Sequence, residues 1–278
     1  MIIWLASYPK SGNTWVRLFL DSLLRNDNIK IDINNLKIRQ FPLRSDFKNL
    51  NVDGDNIEKF VANSIATQDM VNLDGNTKIF KTHNAFWKSE PHAFTNEHNT
   101  KGVIHIVRDP RNVITSLKNH YSKDNYDEAF KMMTNENQFT GSRAGIKDSD
   151  LPTLLSSWSN HFNSWKKMKK NYLLIKYENL LNTPENEFNK IVRYLNYILD
   201  LNISETKTKK AIKDCNFDNL KEEENKKGFK ESATDKKGNV KKFFYLGPKN
   251  NWKDILDTKT IDKIEKKFKN EMLELGYL

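Results

Sequence analysis

The chain has 278 residues and a formal net charge of +10, from 46 Lys and Arg against 36 Asp and Glu. A chain of this length can bury one substantial core, and we expect a single domain over residues 1–278. Its only cysteine, Cys215, excludes an internal disulfide and a cysteine metal cluster. The positive charge favours anionic partners. Because no zinc-finger, RRM-like or basic-zipper pattern is present, we expect a polyanionic nucleotide as partner and no nucleic acid.

The N-terminal stretch lacks the pattern of a signal peptide, because Lys10 and Arg17 interrupt its apolar residues. No apolar run in the sequence approaches the length of a membrane span. A single cysteine also fits a reducing compartment. We therefore expect a cytoplasmic protein without a membrane span.

The first predicted element is an apolar strand over 2–7, which runs into a turn over 8–15 and then a helix with apolar periodicity over 16–24. Such a unit aims several backbone N–H groups and a helix N-terminus at one point, which favours a bound anion. The turn is not a Walker A loop, since Lys10 precedes its only glycine, Gly12. An ordinary turn with a solvated lysine is the simpler alternative.

The turn Tyr8-Pro9-Lys10-Ser11-Gly12-Asn13-Thr14-Trp15 resembles the 5′-phosphosulfate loop of the sulfotransferases that use 3′-phosphoadenosine 5′-phosphosulfate (PAPS). The resemblance extends in order over nearly the whole chain. It implies that Lys10 is catalytic, through stabilisation of the leaving phosphate. It also implies that the loop binds PAPS through Lys10, Ser11, Gly12, Asn13, Thr14 and Trp15.

A second predicted strand, over 78–83, ends in polar residues. In an open α/β sheet, functional residues usually lie at the carboxyl ends of the strands. Its Lys81-Thr82-His83 segment is similar to the Lys-Thr-His segment that carries the family's catalytic histidine. The resemblance implies that His83 is the general base. Alternation along a strand places Lys81 on the same face, where its charge is expected to steady the sulfuryl group. His105, in the middle of the next strand, is expected in the core.

A third predicted strand, over 102–107, leads into Arg108 and a helix over 112–121. An arginine at a strand end and a serine eight residues later can share one phosphate. Arg108 and Ser116 match the family's 3′-phosphate pair. A surface ion pair of Arg108 with Asp109 is the alternative.

Residues 122–150 show no strong periodicity, and we expect them to line or cover the acceptor pocket. A helix is predicted over 154–170, and it resembles the family's Ser-Trp-x-x-His-x-x-x-Trp helix. The resemblance implies that His161 faces the acceptor, and we assign Phe86 to the same pocket. The two tryptophans of this helix are expected in the core.

Three aromatic side chains are expected around the adenine. Tyr177 lies near the end of a strand predicted over 172–178 and resembles the family's Tyr-Glu pair at the adenine. Phe217 aligns with the phenylalanine that stacks on adenine in the family. We therefore expect Trp15 and Phe217 to sandwich the base.

The segment 243–252, which we term the lid segment, resembles the family's Arg-Lys-Gly motif followed by Gly-Asp-Trp. Tyr245 and Leu246 stand where Arg and Lys are expected, whereas Gly247 is kept, and we assign all three to PAPS binding. A 3′-phosphate carries close to two negative charges, so a nearby lysine is expected to replace the lost cations. The candidates are Lys241, Lys242 and Lys249.

Alternating strands and helices predict an α/β fold with a central parallel sheet flanked by helices, and the resemblance implies a P-loop-like three-layer form. The predicted reaction is in-line transfer of a sulfuryl group from PAPS to a hydroxyl or amine of a small acceptor, without a metal. A nucleotide-dependent kinase or NTPase is the alternative, although no apolar strand ends in the Asp that would bind Mg²⁺. A non-catalytic nucleotide- or RNA-binding module is the third possibility.

Overall fold

The computed structural model describes residues 1–25, 31–50, 52, 57–141, 151–235, 237–244 and 246–278. The strands are β1 (Ile2–Ser7), β2 (Lys78–Thr82), β3 (Lys88–Ser89), β4 (His92–Ala93), β5 (Thr100–Val107), β6 (Phe139–Thr140), β7 (Thr153–Leu154) and β8 (Tyr172–Lys176). The helices are α1 (Asn13–Leu24), α2 (Ile57–Ala62), α3 (Ser64–Asn72), α4 (Pro110–His120), α5 (Tyr126–Thr134), α6 (Trp158–Trp165), α7 (Tyr177–Asn182), α8 (Pro184–Leu199), α9 (Glu205–Asp214), α10 (Phe217–Lys227), α11 (Trp252–Ile255), α12 (Thr258–Lys267) and α13 (Lys269–Leu275). Short 3₁₀ helices cover Arg44–Leu50 and Gly247–Lys249. None of the helices in these ranges is long and apolar enough to cross a membrane.

The central sheet is organised around β1. Its strand order is β2-β1-β5-β8, and β1 is parallel to both of its neighbours. Every residue of β1 is buried, which explains why its sequence is a continuous apolar run rather than an alternating one. The predicted α/β fold with a central parallel sheet flanked by helices is confirmed.

The chain folds as two compact units built from interleaved segments. The first unit comprises Met1–Tyr8, Ile38–Ile106 and Thr134–Leu174. The second comprises Pro9–Lys37, Val107–Met133 and Ile175–Leu278. The polypeptide leaves the first unit after Tyr8, so residues 9–15 of the loop that follows β1 belong to the second. A single domain over residues 1–278 stays a prediction.

The core of the first unit is aromatic and centres on Trp4 of β1. The Trp4 ring lies 5.1 Å from the Phe94 ring and 5.5 Å from the Phe41 ring, between centroids. Its indole N–H donates to Thr100 Oγ1 at 3.1 Å, so the polar atom of this buried ring is satisfied. Trp165 of α6 joins the same cluster and is fully buried, as the sequence predicts.

The second unit ties its C-terminal helices to α4 through a buried arginine. Arg111 donates to Asp109 Oδ2 at 2.7 Å, to Glu265 Oε1 at 2.5 Å and to the Tyr277 carbonyl oxygen at 2.8 Å. Its guanidinium also lies 3.9 Å from the centre of the Trp252 ring. A buried guanidinium needs this number of partners, because its charge has lost its water.

Several sequence predictions differ from the structure in their boundaries, and three of them concern predicted site segments. The helix predicted over 154–170 covers only Trp158–Trp165, since Ser157 caps it and Thr153–Leu154 pairs as a strand. The strand predicted to reach 178 ends at Lys176, and Tyr177 begins a helix. The unpatterned stretch 122–150 contains helix Tyr126–Thr134, while its residues 142–150 lie outside the described ranges.

Candidate active site

The loop after β1 has the backbone form of an anion site. Lys10 has a φ of 67° and Gly12 a φ of 100°, both in the left-handed region. A lysine rarely adopts this conformation, and such local strain is concentrated at functional sites. Helix α1 begins at Asn13 with no side-chain cap and no acidic residue in its first turn, so the positive end of its dipole is not neutralised from within.

Several buried polar atoms of this region have no hydrogen-bond partner within the described part of the chain, and two of them belong to groups that can donate to a ligand at the loop. One is Ser11 Oγ, on a residue that is fully buried, and the other is Arg108 Nε. Buried polar atoms are usually satisfied, and each exception calls for an explanation. Both groups can donate a hydrogen bond, which is the property that an anionic ligand requires.

Arg108 is held at the loop by three contacts. Its Nη1 donates to the Lys10 carbonyl oxygen at 2.9 Å and approaches Ser116 Oγ at 3.4 Å. Its guanidinium lies 4.1 Å from the centre of the Tyr177 ring. The predicted alternative, an ion pair of Arg108 with Asp109, is wrong, because the Asp109 carboxylate binds Arg111 instead.

Tyr177 is fixed between Arg108 and the loop. A Cβ at Gly12 would stand 2.5 Å from its ring, so no other residue fits at Gly12 without moving Tyr177. Burial raises the pKa of the Tyr177 hydroxyl. We term the group formed by the loop residues 10–15 with Arg108, Ser116 and Tyr177 the loop cluster.

Trp15 and Phe217 are positioned by separate contacts. The Trp15 indole N–H donates to the Cys215 carbonyl oxygen at 2.9 Å, and its ring meets Phe188 edge-on with centroids 5.7 Å apart. Burial raises the pKa of the Cys215 thiol to about 12, so this cysteine stays un-ionised. A Cβ at Gly247 would lie 2.2 Å from the Phe217 ring, which explains why the lid segment keeps a glycine there.

A second group, the histidine cluster, lies in the first unit and comprises Ser7, Tyr8, His83, His105 and His161. The His161 ring is 5.6 Å from the Tyr8 ring and 5.8 Å from the His105 ring, between centroids. The Nδ1 atom of His83 is 2.8 Å from the Ser7 carbonyl oxygen. A carbonyl oxygen only accepts, so Nδ1 carries the proton and the lone pair of the neutral ring is on Nε2. This is the tautomer that a general base at Nε2 requires.

His161 and His105 are both buried and neutral. Burial lowers the pKa of His161 to about 3, and it lowers the pKa of His105 well below its ordinary value, with the nearby His161 adding to the effect. The backbone of His83 partly offsets the lowering at His161, yet neither ring nitrogen of His161 has a hydrogen-bond partner of good geometry in the described chain. His105 Nδ1 lies 2.7 Å from the Tyr172 hydroxyl, which confirms its predicted place in the core.

The family of the chain is decided by comparison with known proteins. The model of the sulfotransferase domain family matches residues 2–276. The chain belongs to this family. It is therefore an enzyme of the transferase class that moves sulfuryl groups.

Individual relatives are distant but match over nearly the full chain. Sulfotransferase 1B1 of dog is 24% identical, covering 96% of this chain and 82% of the dog protein. Sulfotransferase 1 family member D1 of mouse is 23% identical, covering 97% and 83%. The solved structure of mouse sulfotransferase SULT7A1 complexed with PAP superposes with a TM-score of 0.59 at 18% identity, covering 98% of this chain and 84% of the mouse chain. Retinol dehydratase in complex with androsterone and PAP gives a TM-score of 0.58 at 16% identity, covering 98% and 80%.

The predicted acceptor-side residues Lys81 and Phe86 both lie in the first unit. Lys81 is buried on β2, and Phe86 packs its ring against Trp165 at 5.7 Å between centroids.

The lysines predicted to replace the lost cations differ in their surroundings. Lys241 donates to the Asn119 carbonyl oxygen at 2.5 Å, whereas Lys249 is exposed. Tyr245 lies outside the described residues, and Leu246 is half-buried. No group of three or more metal-ligating side chains occurs in the described ranges.

Sequence reasoning missed two residues that organise the lid segment. Phe243 lies against Lys10, with 4.3 Å from the lysine Nζ to the ring centre. Glu224 is almost fully buried, and its carboxylate accepts hydrogen bonds from Ser232 Oγ at 3.0 Å and from the N–H groups of Phe243 at 2.6 Å and Phe244 at 3.0 Å. A carboxylate that accepts from two successive lid N–H groups fixes the course of the lid segment.

Replacement of Glu224 by glutamine should therefore destabilise the sulfotransferase by about 1–3 kcal/mol, because a glutamine NH₂ must face a donor at one of these bonds. Denaturant unfolding measures the loss, and limited proteolysis should show earlier cleavage in the lid segment. Glu222→Gln is the matched control on the same helix, since Glu222 is exposed and pairs only with Lys226 in the described structure. A Glu224→Gln protein as stable as the control would contradict the anchoring role.

Proposed function

We propose that this sulfotransferase takes its sulfuryl group from PAPS and transfers it in line to a hydroxyl or amine of a small acceptor. The observation that carries the proposal is the pair of unsatisfied buried donors, Ser11 Oγ and Arg108 Nε, at a strained loop and an uncapped helix N-terminus. An anion with two phosphate groups would satisfy donors at both places. PAP, the 3′,5′-bisphosphate that remains after transfer, is the ligand named for two of the similar structures.

The residues of the loop cluster fit PAPS. Lys10 and the N–H groups of residues 11–15 would hold the 5′-phosphosulfate, while Arg108 and Ser116 would hold the 3′-phosphate. Tyr177, Trp15 and Phe217 offer aromatic surface for the adenine, with Leu246 and Gly247 beside it. PAPS supplies the activated sulfuryl group.

The residues proposed to act on the acceptor belong to the histidine cluster and its neighbours. The Ser7 carbonyl oxygen fixes the His83 tautomer, so Nε2 can take the acceptor proton as transfer proceeds. Lys81 would steady the negative charge of the moving sulfuryl group. His161 is neutral at physiological pH, so it would orient the acceptor through a hydrogen bond rather than through charge, with Phe86 packing nearby.

The acceptor is proposed to be a small molecule. Two of the similar structures are of retinol dehydratase, one in complex with androsterone and one with retinol, and both of these ligands are small and apolar. The polar character of residues 122–150 favours a more polar acceptor in this chain. A screen of candidate acceptors, read by the mass gain of one SO₃ group, identifies the class. The cytoplasm is the proposed location.

Binding of labelled PAPS and ATP, with and without Mg²⁺, tests the donor. A sulfotransferase of this kind should prefer PAPS and need no metal. Preference for Mg²⁺–ATP would favour the kinase or NTPase alternative. Tight binding of PAPS without transfer to any acceptor would favour a non-catalytic binding module.

Arg108 should carry most of the recognition of the 3′-phosphate. Arg108→Ala should reduce the preference for PAP over 5′-AMP by about ten- to a hundredfold, because a charge-assisted hydrogen bond is lost. Lys249→Ala, or Lys241→Ala with Lys242→Ala, should lose part of the preference. Isothermal titration of both nucleotides measures the ratio, and Arg193→Ala is the control, since Arg193 is exposed on α8. An unchanged ratio in Arg108→Ala would remove the 3′-phosphate site from the proposal.

A further inference from the structure

Asn250 of the lid segment lies directly on the serine of the loop cluster. Its side chain is buried, and Nδ2 is 3.0 Å from Ser116 Oγ and 3.2 Å from the Asn112 carbonyl oxygen. Its Oδ1 is 2.8 Å from Thr115 Oγ1. Because the Asn112 carbonyl oxygen only accepts, the amide atom facing it must be the nitrogen. The orientation of the amide follows from its neighbours, and Asn250 donates to Ser116.

Ser116 Oγ therefore receives two donors. Asn250 Nδ2 is one, and Arg108 Nη1, which can only donate, approaches the same oxygen at 3.4 Å. A hydroxyl has two lone pairs and one proton, so both lone pairs are engaged and the proton must point elsewhere. Nothing in the described part of the chain accepts that proton.

We propose that Asn250 is a specificity-determining positioning residue: by donating to Ser116 Oγ it commits the serine hydroxyl to donate to the 3′-phosphate of the bound nucleotide. This inference rests on the proposed function, since it assumes the 3′-phosphate at Arg108 and Ser116. It also explains how a lid segment without the expected Arg and Lys side chains recognises that phosphate. Positions 245 and 246 hold Tyr and Leu and so supply no cation. In their place, the neutral Asn250 amide orients the Ser116 hydroxyl as a hydrogen-bond donor to the phosphate.

The test is the ratio of the dissociation constants for 5′-AMP and PAP, measured by titration on the full chain. Asn250→Asp keeps the shape, but its carboxylate accepts the Ser116 proton and adds a negative charge beside the phosphate. The ratio should fall by about ten- to a hundredfold while 5′-AMP affinity stays close to wild type. Asn186→Asp is the charge-matched control: Asn186 is exposed in the first turn of α8, where the helix dipole favours a negative charge. Its ratio should stay near that of wild type.

A second variant separates a role through Ser116 from a merely structural one. Ser116→Ala should lower the ratio, and Asn250→Ala added to it should lower the ratio further by much less than it does alone, because both changes act through one hydroxyl and neither adds a charge. Asn250→Ala, which removes the donor without adding charge, should give a smaller loss than Asn250→Asp and provides the test if the aspartate variant does not fold.

Three results would overturn the inference: an unchanged ratio in both Asn250 variants, equal losses for 5′-AMP and PAP, or additive effects with Ser116→Ala. A wild-type protein that binds 5′-AMP and PAP equally would instead overturn the proposed 3′-phosphate site itself. The two failures are therefore distinguishable.

Discussion

Replacement of Lys10 by alanine should lower kcat for sulfuryl transfer by about a hundred- to a thousandfold, the usual effect of removing a group that stabilises charge in the transition state. Negative charge builds on the bridging oxygen of the leaving phosphate as the sulfuryl group departs. The Lys10 ammonium would stabilise that charge mainly in the transition state. PAP binding should therefore weaken much less than kcat falls.

The structure gives Lys10 a defined starting position for this role. Its backbone lies in the left-handed region, and its ammonium rests on the Phe243 ring at 4.3 Å, which restricts the side chain before any ligand binds. Preorganisation of this kind avoids reorganisation at the moment of reaction.

The measurement is kcat for transfer set against the dissociation constant of PAP. Lys10→Arg is the matched control, because it keeps the positive charge but changes its shape and position; it should retain part of the rate that the alanine variant loses. Thermal unfolding shows whether the fold is intact. Equal losses in rate and in PAP affinity would mean that Lys10 binds the ground state only.

The sheet and much of the loop cluster could be predicted because their signals are local. A continuous apolar run such as 2–7 is typical of a strand that is buried on both faces, and this run forms the fully buried strand β1. Arg108 and Ser116 are eight residues apart across a strand end and one helix, so their approach follows from short-range geometry. Such signals depend little on the rest of the chain.

The parts that sequence reasoning missed depend on weaker or distant signals. Helix α5 starts where Asn125 Oδ1 accepts the Glu128 N–H at 2.9 Å, a capping signal hidden in a polar stretch. Glu224 accepts from the Phe243 N–H, which lies 19 residues later in the sequence, and Asn250 contacts Ser116 across 134 residues. No periodicity or spacing reports contacts of this kind, since tertiary packing alone creates them.

His83→Asn should lower the rate of transfer by about a hundred- to ten-thousandfold while PAP binding persists, the loss expected for a positioned general base. Asparagine can still donate to the Ser7 carbonyl oxygen through its amide, so the local hydrogen bond survives. What it lacks is a basic nitrogen at the position of Nε2. The experiment therefore isolates proton acceptance from the structural contact.

The pH dependence of the wild-type rate tests the same role and distinguishes the two candidate histidines. A base must be unprotonated to act, so kcat/KM should fall as the pH is lowered and His83 takes up a proton. His161 cannot cause a fall between about pH 5 and 7, because burial lowers its pKa to about 3 and it is already neutral throughout that range. The residual activity of His83→Asn, measured at high enzyme concentration, should accordingly be flat over this range, whereas His161→Asn should keep the acidic fall at a reduced rate. If His83→Asn retains near-full activity with an unchanged acidic fall, His83 is not the base, and another group must accept the acceptor proton.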